Sequence, residues 1–310
     1  MNIVLSTDNN FVQHCAVTMV SILENNKDVS FFIITDGLTD SNSLILSELA
    51  KKYDSCLQFL LVDKSIVSRL PMPDNSNLKH ISPATYYRLF VAELLPDSVD
   101  KVIYLDCDMV IRGSLTELWN TDIHDYAIAA VYQSNAWAIN NRTFDRLSIP
   151  SSQGYFNAGM LLINLRYWRE YSIQENLLNY LHVYSSNIVC HDQDVLNAVL
   201  YNHTLNLSPI WNMLTGFYFS SKEDIDCGCC CVHSEQLDEL KSKAVIIHYV
   251  SRPKPWEYAC NHPLKNEYYK YLSLTSFAGW KPKFNALNIY KYRIRPVLVD
   301  VKHFFERILK

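Results

Sequence analysis

Over its first hundred residues the chain alternates apolar runs of strand length with segments whose apolar residues recur at helical intervals. Asn2–Ser6 is apolar enough for a first strand, and Phe11–Asn25 sets Val12, Cys15, Met19, Ile22 and Leu23 on helical spacing. Ser30–Thr35, Ser41–Tyr53 and Leu57–Val62 follow as strand, helix and strand, a βαβ rhythm that implies a largely parallel sheet. Helical spacing resumes over Pro83–Leu95, with proline in a first turn, and leads into a strand at Lys101–Asp106. Further on, Leu115–Trp119 reads as a helical turn, Ala127–Tyr132 and Phe156–Leu165 as strands, and Arg166–Ser185 and Asp194–Leu200 as helices. Beyond Leu205 aromatic and polar residues break the pattern until Ala244–Tyr249, a short strand around His248. No internal repeat is present, and the first hundred residues have the look of a nucleotide-binding half.

Residues 102–108, VIYLDCD, close an apolar run with two carboxylates one residue apart. Side chains at i and i+2 of a strand share a face, so Asp106 and Asp108 would leave the sheet edge together and could grip one divalent cation. Aspartate is also common where a strand gives way to a turn. Burying two carboxylates edge to edge without a cation is unfavourable, which favours the metal reading.

Three more polar islands lie where elements begin or end. Ser6-Thr7-Asp8-Asn9-Asn10-Phe11 follows the first strand, where a doubly wound sheet exposes its ligand crevice; its asparagine and aspartate oxygens would serve equally as helix caps. Phe156-Asn157-Ala158-Gly159 puts an amide beside small residues, so a ligand can approach the backbone while Asn157 meets sugar hydroxyls; a bulge would explain the glycine as well. His191-Asp192-Gln193-Asp194 opens a helix, where carboxylates also suit the dipole. His248 is either a third metal ligand, suited with two carboxylates to Mn²⁺, or an ordinary histidine among ten. Lys254, in a proline-flanked turn, would offer positive charge to a diphosphate.

With seven glycines in 310 residues and neither G-x-G-x-x-G nor G-x-x-x-x-G-K-[ST], a Rossmann dinucleotide site and a P-loop are disfavoured. A nucleotide would then be held by metal and side chains. Hydrophobic residues are 49% and charged residues 19%, so a chain of this length makes one large α/β domain with an appendage. The opening MNIVLSTDNNF carries no basic leader and only a short apolar run, so the expected location is the cytoplasm. Nine cysteines, an odd number, fit a reducing compartment; those at 227 and 229–231 are too crowded for one tetrahedral zinc ion. No nucleic-acid partner is expected.

The net charge of −4 divides unevenly. From Lys281 onward eight basic residues face Asp300 and Glu306, a balance of +6, which leaves −10 for the rest. Aromatic and aliphatic residues from Phe284 to Leu309 interleave with those charges. Residues 281–310 are therefore either a basic amphipathic segment for an anionic membrane surface or a terminal helix packed on its own domain.

In this order, STDNNF, HISPATYYRLF, VIYLDCDMVI, FNAGMLLINL, HDQDVLN and IHYVSRPKPW resemble the family 8 glycosyltransferases, above all the bacterial lipopolysaccharide or lipooligosaccharide α-galactosyl- and α-glucosyltransferases, over roughly residues 1–260. The resemblance implies a GT-A fold, an α/β, Rossmann-like nucleotide-sugar domain with a mixed, mostly parallel sheet flanked by helices, over residues 1–280, followed by the 281–310 appendage. It implies retaining transfer from UDP-galactose or UDP-glucose with Mn²⁺, Mg²⁺ being a substitute. Asp106, Asp108 and His248 would hold the metal. Ser6, Asp8, Asn10, Phe11, Thr85, Asp106, Cys107, Asp108, Ser251 and Lys254 would bind the nucleotide. Arg88, Asn157, Ala158, Asp192 and Gln193 would grip the donor sugar, with Asp192 and Gln193 also nearest the chemistry, and His80 would approach the acceptor. The expected partners are the UDP-sugar, a lipid-linked oligosaccharide acceptor, and the cytoplasmic face of an anionic inner membrane. Two departures stand out: Ser251 replaces a frequent glycine, and Cys190 replaces an aromatic of some relatives. A metal-dependent UDP-sugar hydrolase and a non-catalytic sugar-nucleotide-binding membrane protein are the alternatives.

Overall fold

The structure is a computed structural model, and residues 1–63, 83–133, 135–219 and 234–298 are described. Strands β1 (Asn2–Ser6), β2 (Ser30–Thr35) and β3 (Cys56–Leu61) run parallel, joined by helices α1 (Val12–Asn25) and α2 (Asp40–Lys52). The chain then crosses to the other side of β1, where β4 (Lys101–Leu105) pairs with it in parallel. Strand β7 (Phe156–Asn164) lies antiparallel between β4 and β6 (Ile128–Tyr132), and β8 (Thr204–Asn206) pairs parallel to β6 at the edge. The seven-stranded order is β3-β2-β1-β4-β7-β6-β8, a mixed and mostly parallel sheet as expected. The strand order changes direction between β1 and β4, and in such sheets ligands bind beyond the carboxyl ends of the strands at this switch point.

Alternate residues feed two cores. Ile3, Leu5, Phe31 and Ile33 face α1 and α2, while Val4, Phe32 and Ile34 face the helices of the opposite layer. Burial on both faces explains why these strands read as continuous apolar runs instead of alternating ones. The opposite layer holds α3 (Leu165–Glu170), α4 (Ile173–Val183) and α5 (His191–Leu200). One helix was expected over Arg166–Ser185, but Ser172 takes φ 48° and divides it. The break lets Trp168 stay against the sheet while Ile173, Leu177 and Leu181 form the buried stripe of α4.

The helix expected over Pro83–Leu95 is a 3-10 turn at Pro83–Phe90 followed by one α turn at Val91–Leu94. All six residues from Tyr86 to Val91 are buried, which a tight turn wedged between layers permits and a one-sided surface helix does not. A second sheet of three short strands, β5 (Met109–Ile111), β10 (Ile246–His248) and β9 (Met213–Leu214), abuts the first. Only β10 was legible in the sequence, because two or three residues carry no periodicity. Residues 227 and 229–231 and His80 lie outside the described residues.

Helix α6 (Lys265–Leu272) packs on α1 and meets a buried histidine. His14 stacks on Trp256 with ring centroids 3.7 Å apart, and its Nδ1 is 2.8 Å from Tyr268 Oη. Burial lowers its pKa from 6.5 to about 3. Between those values the unfolded chain binds a proton that the folded chain refuses, so stability falls as pH drops below about 6.5. Urea midpoints measured from neutral pH downward should therefore fall less steeply for His14→Gln than for the unaltered chain, the difference being on the order of a few kcal/mol at the acid end. Parallel pH profiles would sink this assignment.

Candidate active site

The turn between β4 and β5 carries Asp106, Cys107 and Asp108, so the two carboxylates lie in the link between the sheets and not within one strand. Backbone bonds fix each independently. Asp106 N–H donates to Gly159 O at 2.8 Å on β7, and Asp108 O accepts from Tyr249 N–H at 3.0 Å just past β10. The carboxylates still converge, because His248 ends β10 directly opposite Met109. His248 Nε2 is 3.1 Å from Asp108 Oδ1 and 4.0 Å from Asp106 Oδ2.

Ligand atoms of Asp106, Asp108 and His248 lie within 4.8 Å of one another. Asp108 Oδ1 is buried with the His248 ring nitrogen as its one near polar neighbour, and a cation between the two would satisfy both. Two carboxylates and one imidazole form a donor set for a borderline divalent ion, and the residues fit one. Burial opposes the charge on Asp108, but Lys254 and then His248 outweigh it and hold the carboxyl below its usual range. Lys254 Nζ donates to Asp108 Oδ2 and Tyr249 O, both at 2.5 Å. For Asp106 burial wins and raises the pKa against the pull of Arg88.

Arg88 joins Asp106 to Asp192 and so links the carboxylate pair to the start of α5. Buried in the 3-10 turn, it donates from Nη2 to Asp106 Oδ1 at 2.7 Å and from Nη1 to Ala158 O, and its guanidinium lies 4.5 Å from the Tyr104 ring centroid. Its Nε is 2.7 Å from Asp192 Oδ2, an ion-pair contact whose angle is not that of a hydrogen bond. Burial raises the Asp192 pKa to about 7 despite that arginine. Gln193 Oε1 accepts from Asn157 Nδ2 at 3.0 Å and from Ala158 N–H at 3.1 Å. Asp194 locks this helix start in place, accepting from Val189 and Cys190 N–H, Tyr155 Oη and Arg146. Arg88, Asn157, Ala158, Asp192 and Gln193 are thus one connected group.

Around the β1 end the expected residues divide. Asp8 Oδ1 accepts from Asn10 and Phe11 N–H at 2.8 and 3.1 Å and closes the turn ahead of α1; the helix itself has Phe11 at its N-cap position and no side-chain cap, so Asp8 does not take the capping role the sequence also allowed. Asn10 and Phe11 are exposed just past β1, and Phe11 meets the edges of His14 and Trp256. Ser6 closes β1 with a buried hydroxyl. Thr85 O accepts from Arg88 Nε at 3.3 Å. Cys107 is buried, its Sγ 3.2 Å from Ser6 O, so its side chain belongs to the core. Ser251 takes φ 68°, a left-handed conformation that glycine adopts without a Cβ clash. Sequence reading missed Tyr104 and Asn212, both brought in by non-local contacts; Asn212 Oδ1 lies 2.9 Å from His248 Nδ1.

A switch point, a mixed sheet, and an aspartate turn leading to a second small sheet together define a GT-A type of fold. The family profile of glycosyl transferase family 8 matches residues 2–260, and the chain belongs to that family. It is 29% identical to General stress protein A of Bacillus subtilis, across 89% of this chain and 94% of that protein. It is 31% identical to a lipopolysaccharide 1,2-glucosyltransferase of Escherichia coli, across 84% of this chain and 74% of the relative. Among solved structures, the galactosyltransferase LgtC in complex with donor and acceptor sugar analogues shares the fold, with a TM-score of 0.75, 24% identity, and coverage of 89% and 96%.

Gly159 lets β7 pass close against His248 and Asp106. A Cβ there would overlap His248 Cε1 and come within 2.8 Å of Asp106 Oδ2. Gly159→Ala should therefore lower the melting temperature, by an overpacking cost of about 1–3 kcal/mol, and weaken Mn²⁺ binding measured by calorimetry. Unchanged Mn²⁺ affinity would show that the three ligands are not held as described.

Proposed function

We propose that the protein is a retaining hexosyltransferase that moves galactose, or else glucose, from a UDP-sugar to a saccharide acceptor in lipopolysaccharide or lipooligosaccharide assembly. The observation that carries this reading is the Asp106, Asp108 and His248 cluster, joined through Arg88 to a second group of polar side chains suited to sugar hydroxyls. The named activities of the Escherichia coli and Salmonella typhimurium relatives, transfer of glucose and galactose to lipopolysaccharide, support the substrate class. A divalent ion held by the three ligands, Mn²⁺ or Mg²⁺, would supply Lewis acidity toward the donor diphosphate.

The chain's own residues account for the rest. Lys254 is positioned to shift its ammonium from Asp108 to diphosphate oxygens and so stabilise the charge left on UDP. Arg88 keeps Asp192 beside the sugar site, and Asn157 and Gln193 offer amide groups to hydroxyls. Gln193 Oε1 already accepts two hydrogen bonds and belongs to a neutral amide, a poor nucleophile. Retention is then better served by acceptor attack on the face the diphosphate leaves, with a diphosphate oxygen taking the acceptor proton. A mass-spectrometric glycosyl adduct on Asp192 or Gln193 would overturn that preference.

The exposed apolar residues Phe284, Leu287, Tyr290, Ile294, Val297 and Leu298 among basic residues support attachment of 281–310 to an anionic membrane surface. No helix among the described residues is long and apolar enough to cross a membrane. Arg293 donates to Ala259 O and Cys260 O at 3.0 Å and ties this segment to the domain, so a test should leave it in place.

Purified protein with Mn²⁺ and UDP-galactose, then UDP-glucose, should release UDP faster when a lactose-terminated acceptor is added. Release indifferent to every saccharide offered would favour a hydrolase. Asp108→Asn should keep the fold and lose at least about tenfold in turnover, because one charged ligand becomes neutral; full turnover would refute the metal assignment. Replacing Lys281, Lys283, Lys291 and Arg295 with glutamate should abolish binding to phosphatidylserine vesicles while sparing transfer to a soluble acceptor. Undiminished vesicle binding would leave the segment as packed structure.

A further inference from the structure

Asn212 is wholly buried at the end of the 3-10 turn Pro209–Trp211, immediately before β9. Its amide stands between two site residues, with Oδ1 2.9 Å from His248 Nδ1 and Nδ2 2.9 Å from Asn157 Oδ1. One backbone group fixes the direction of the whole chain of contacts. Gly159 N–H donates to Asn157 Oδ1 at 3.0 Å, and a backbone nitrogen can only donate. Asn157 therefore presents oxygen toward Gly159 and Asn212, and its Nδ2 donates to Gln193 Oε1 at 3.0 Å. Asn212 must then donate to Asn157 and turn its oxygen to His248. An amide oxygen only accepts, so His248 keeps hydrogen on Nδ1, and Nε2 is the nitrogen left to give its lone pair to an ion held with Asp108 and Asp106.

We propose that Asn212 is a positioning residue that relays this direction to the metal ligand His248, setting its tautomer, and through its other half holds Asn157 in place at the donor sugar. This deepens the transferase reading and rests on it. The acceptor half of the amide serves the metal, since a histidine ligand is oriented by the partner of its other nitrogen. The donor half serves the sugar group, since it gives Asn157 Oδ1 a second hydrogen bond beside that from Gly159 N–H and so pins the side-chain amide from two directions. The two halves can be separated by substitution. Asn212→Asp keeps an acceptor for His248 Nδ1 and loses the donor to Asn157, whereas Asn212→Leu loses both at similar size.

Mn²⁺ affinity is read by electron paramagnetic resonance of free ion, with no turnover required. KM and kcat for UDP-galactose and UDP-glucose are read at saturating Mn²⁺, and circular dichroism checks the fold. Asn212→Leu should bind Mn²⁺ about 10–100-fold more weakly. Asn212→Asp should retain Mn²⁺ affinity within a few-fold, yet lose roughly tenfold or more in kcat/KM for the donor that the unaltered chain uses. A folded Asn212→Leu that binds Mn²⁺ normally overturns the inference. If Asn212→Leu does not fold, Asn212→Asp alone decides: metal affinity kept with donor use impaired supports the proposal, and loss of both or of neither overturns it. An unaltered chain that binds no Mn²⁺ overturns the metal reading itself, and this inference with it.

Discussion

Asp106, Asp108 and Asp192 converge at the end of a sheet with an apolar core, two of them half-buried and one buried, and offsetting the loss of water around their charge constrains everything nearby. Each carboxylate has its own answer. Arg88 lies between Asp106 and Asp192, while Lys254 and His248 attend Asp108. Arg88 reaches both its partners from the buried half of a tight turn, Tyr86–Phe90, with its guanidinium against the Tyr104 ring. The local departure from a regular helix is thus a consequence of where the charge has to be.

The same constraint explains how the two sheets are joined. The seven-stranded sheet supplies Asp106 at the end of β4 and Asn157 on β7; the three-stranded sheet supplies His248, and Asn212 precedes one of its strands. Hydrogen bonds among Asn157, Asn212 and His248 cross between them. Gly159 allows the approach, because any side chain there would occupy the space of the histidine ring. Asn157 on the large sheet and His248 on the small one are consequently tied together through one buried amide.

Much of this was legible before any coordinates. β1, β2, β4, β6 and β7 were placed within a residue or so, because strands buried on both faces leave long apolar runs. The carboxylate pair, His248, Lys254 and Asn157 stand out as polar residues at the ends of such runs, and the structure brings them together with Arg88, Asp192 and Gln193. What failed has a common cause. β5, β8 and β9 are too short for periodicity, Ser172 breaks a helix by one backbone angle, and Asn212 sits in an aromatic stretch without pattern, its importance coming only from residues far away in sequence. The expectation that Asp106 and Asp108 share a strand face reached the right pairing by an incomplete route, since it is separate anchoring to Gly159 and Tyr249 that brings them together.

Lys254 has a bearing on how the protein comes into being. Small metal domains commonly wait for their ion before they fold, because nothing else neutralises their ligands. Here an ammonium already rests on Asp108, a guanidinium on Asp106, and a core of ordinary size surrounds both. Folding does not have to wait for an ion: the chain's own cations already answer these carboxylates, so the polypeptide can reach its finished shape with the cluster unfilled.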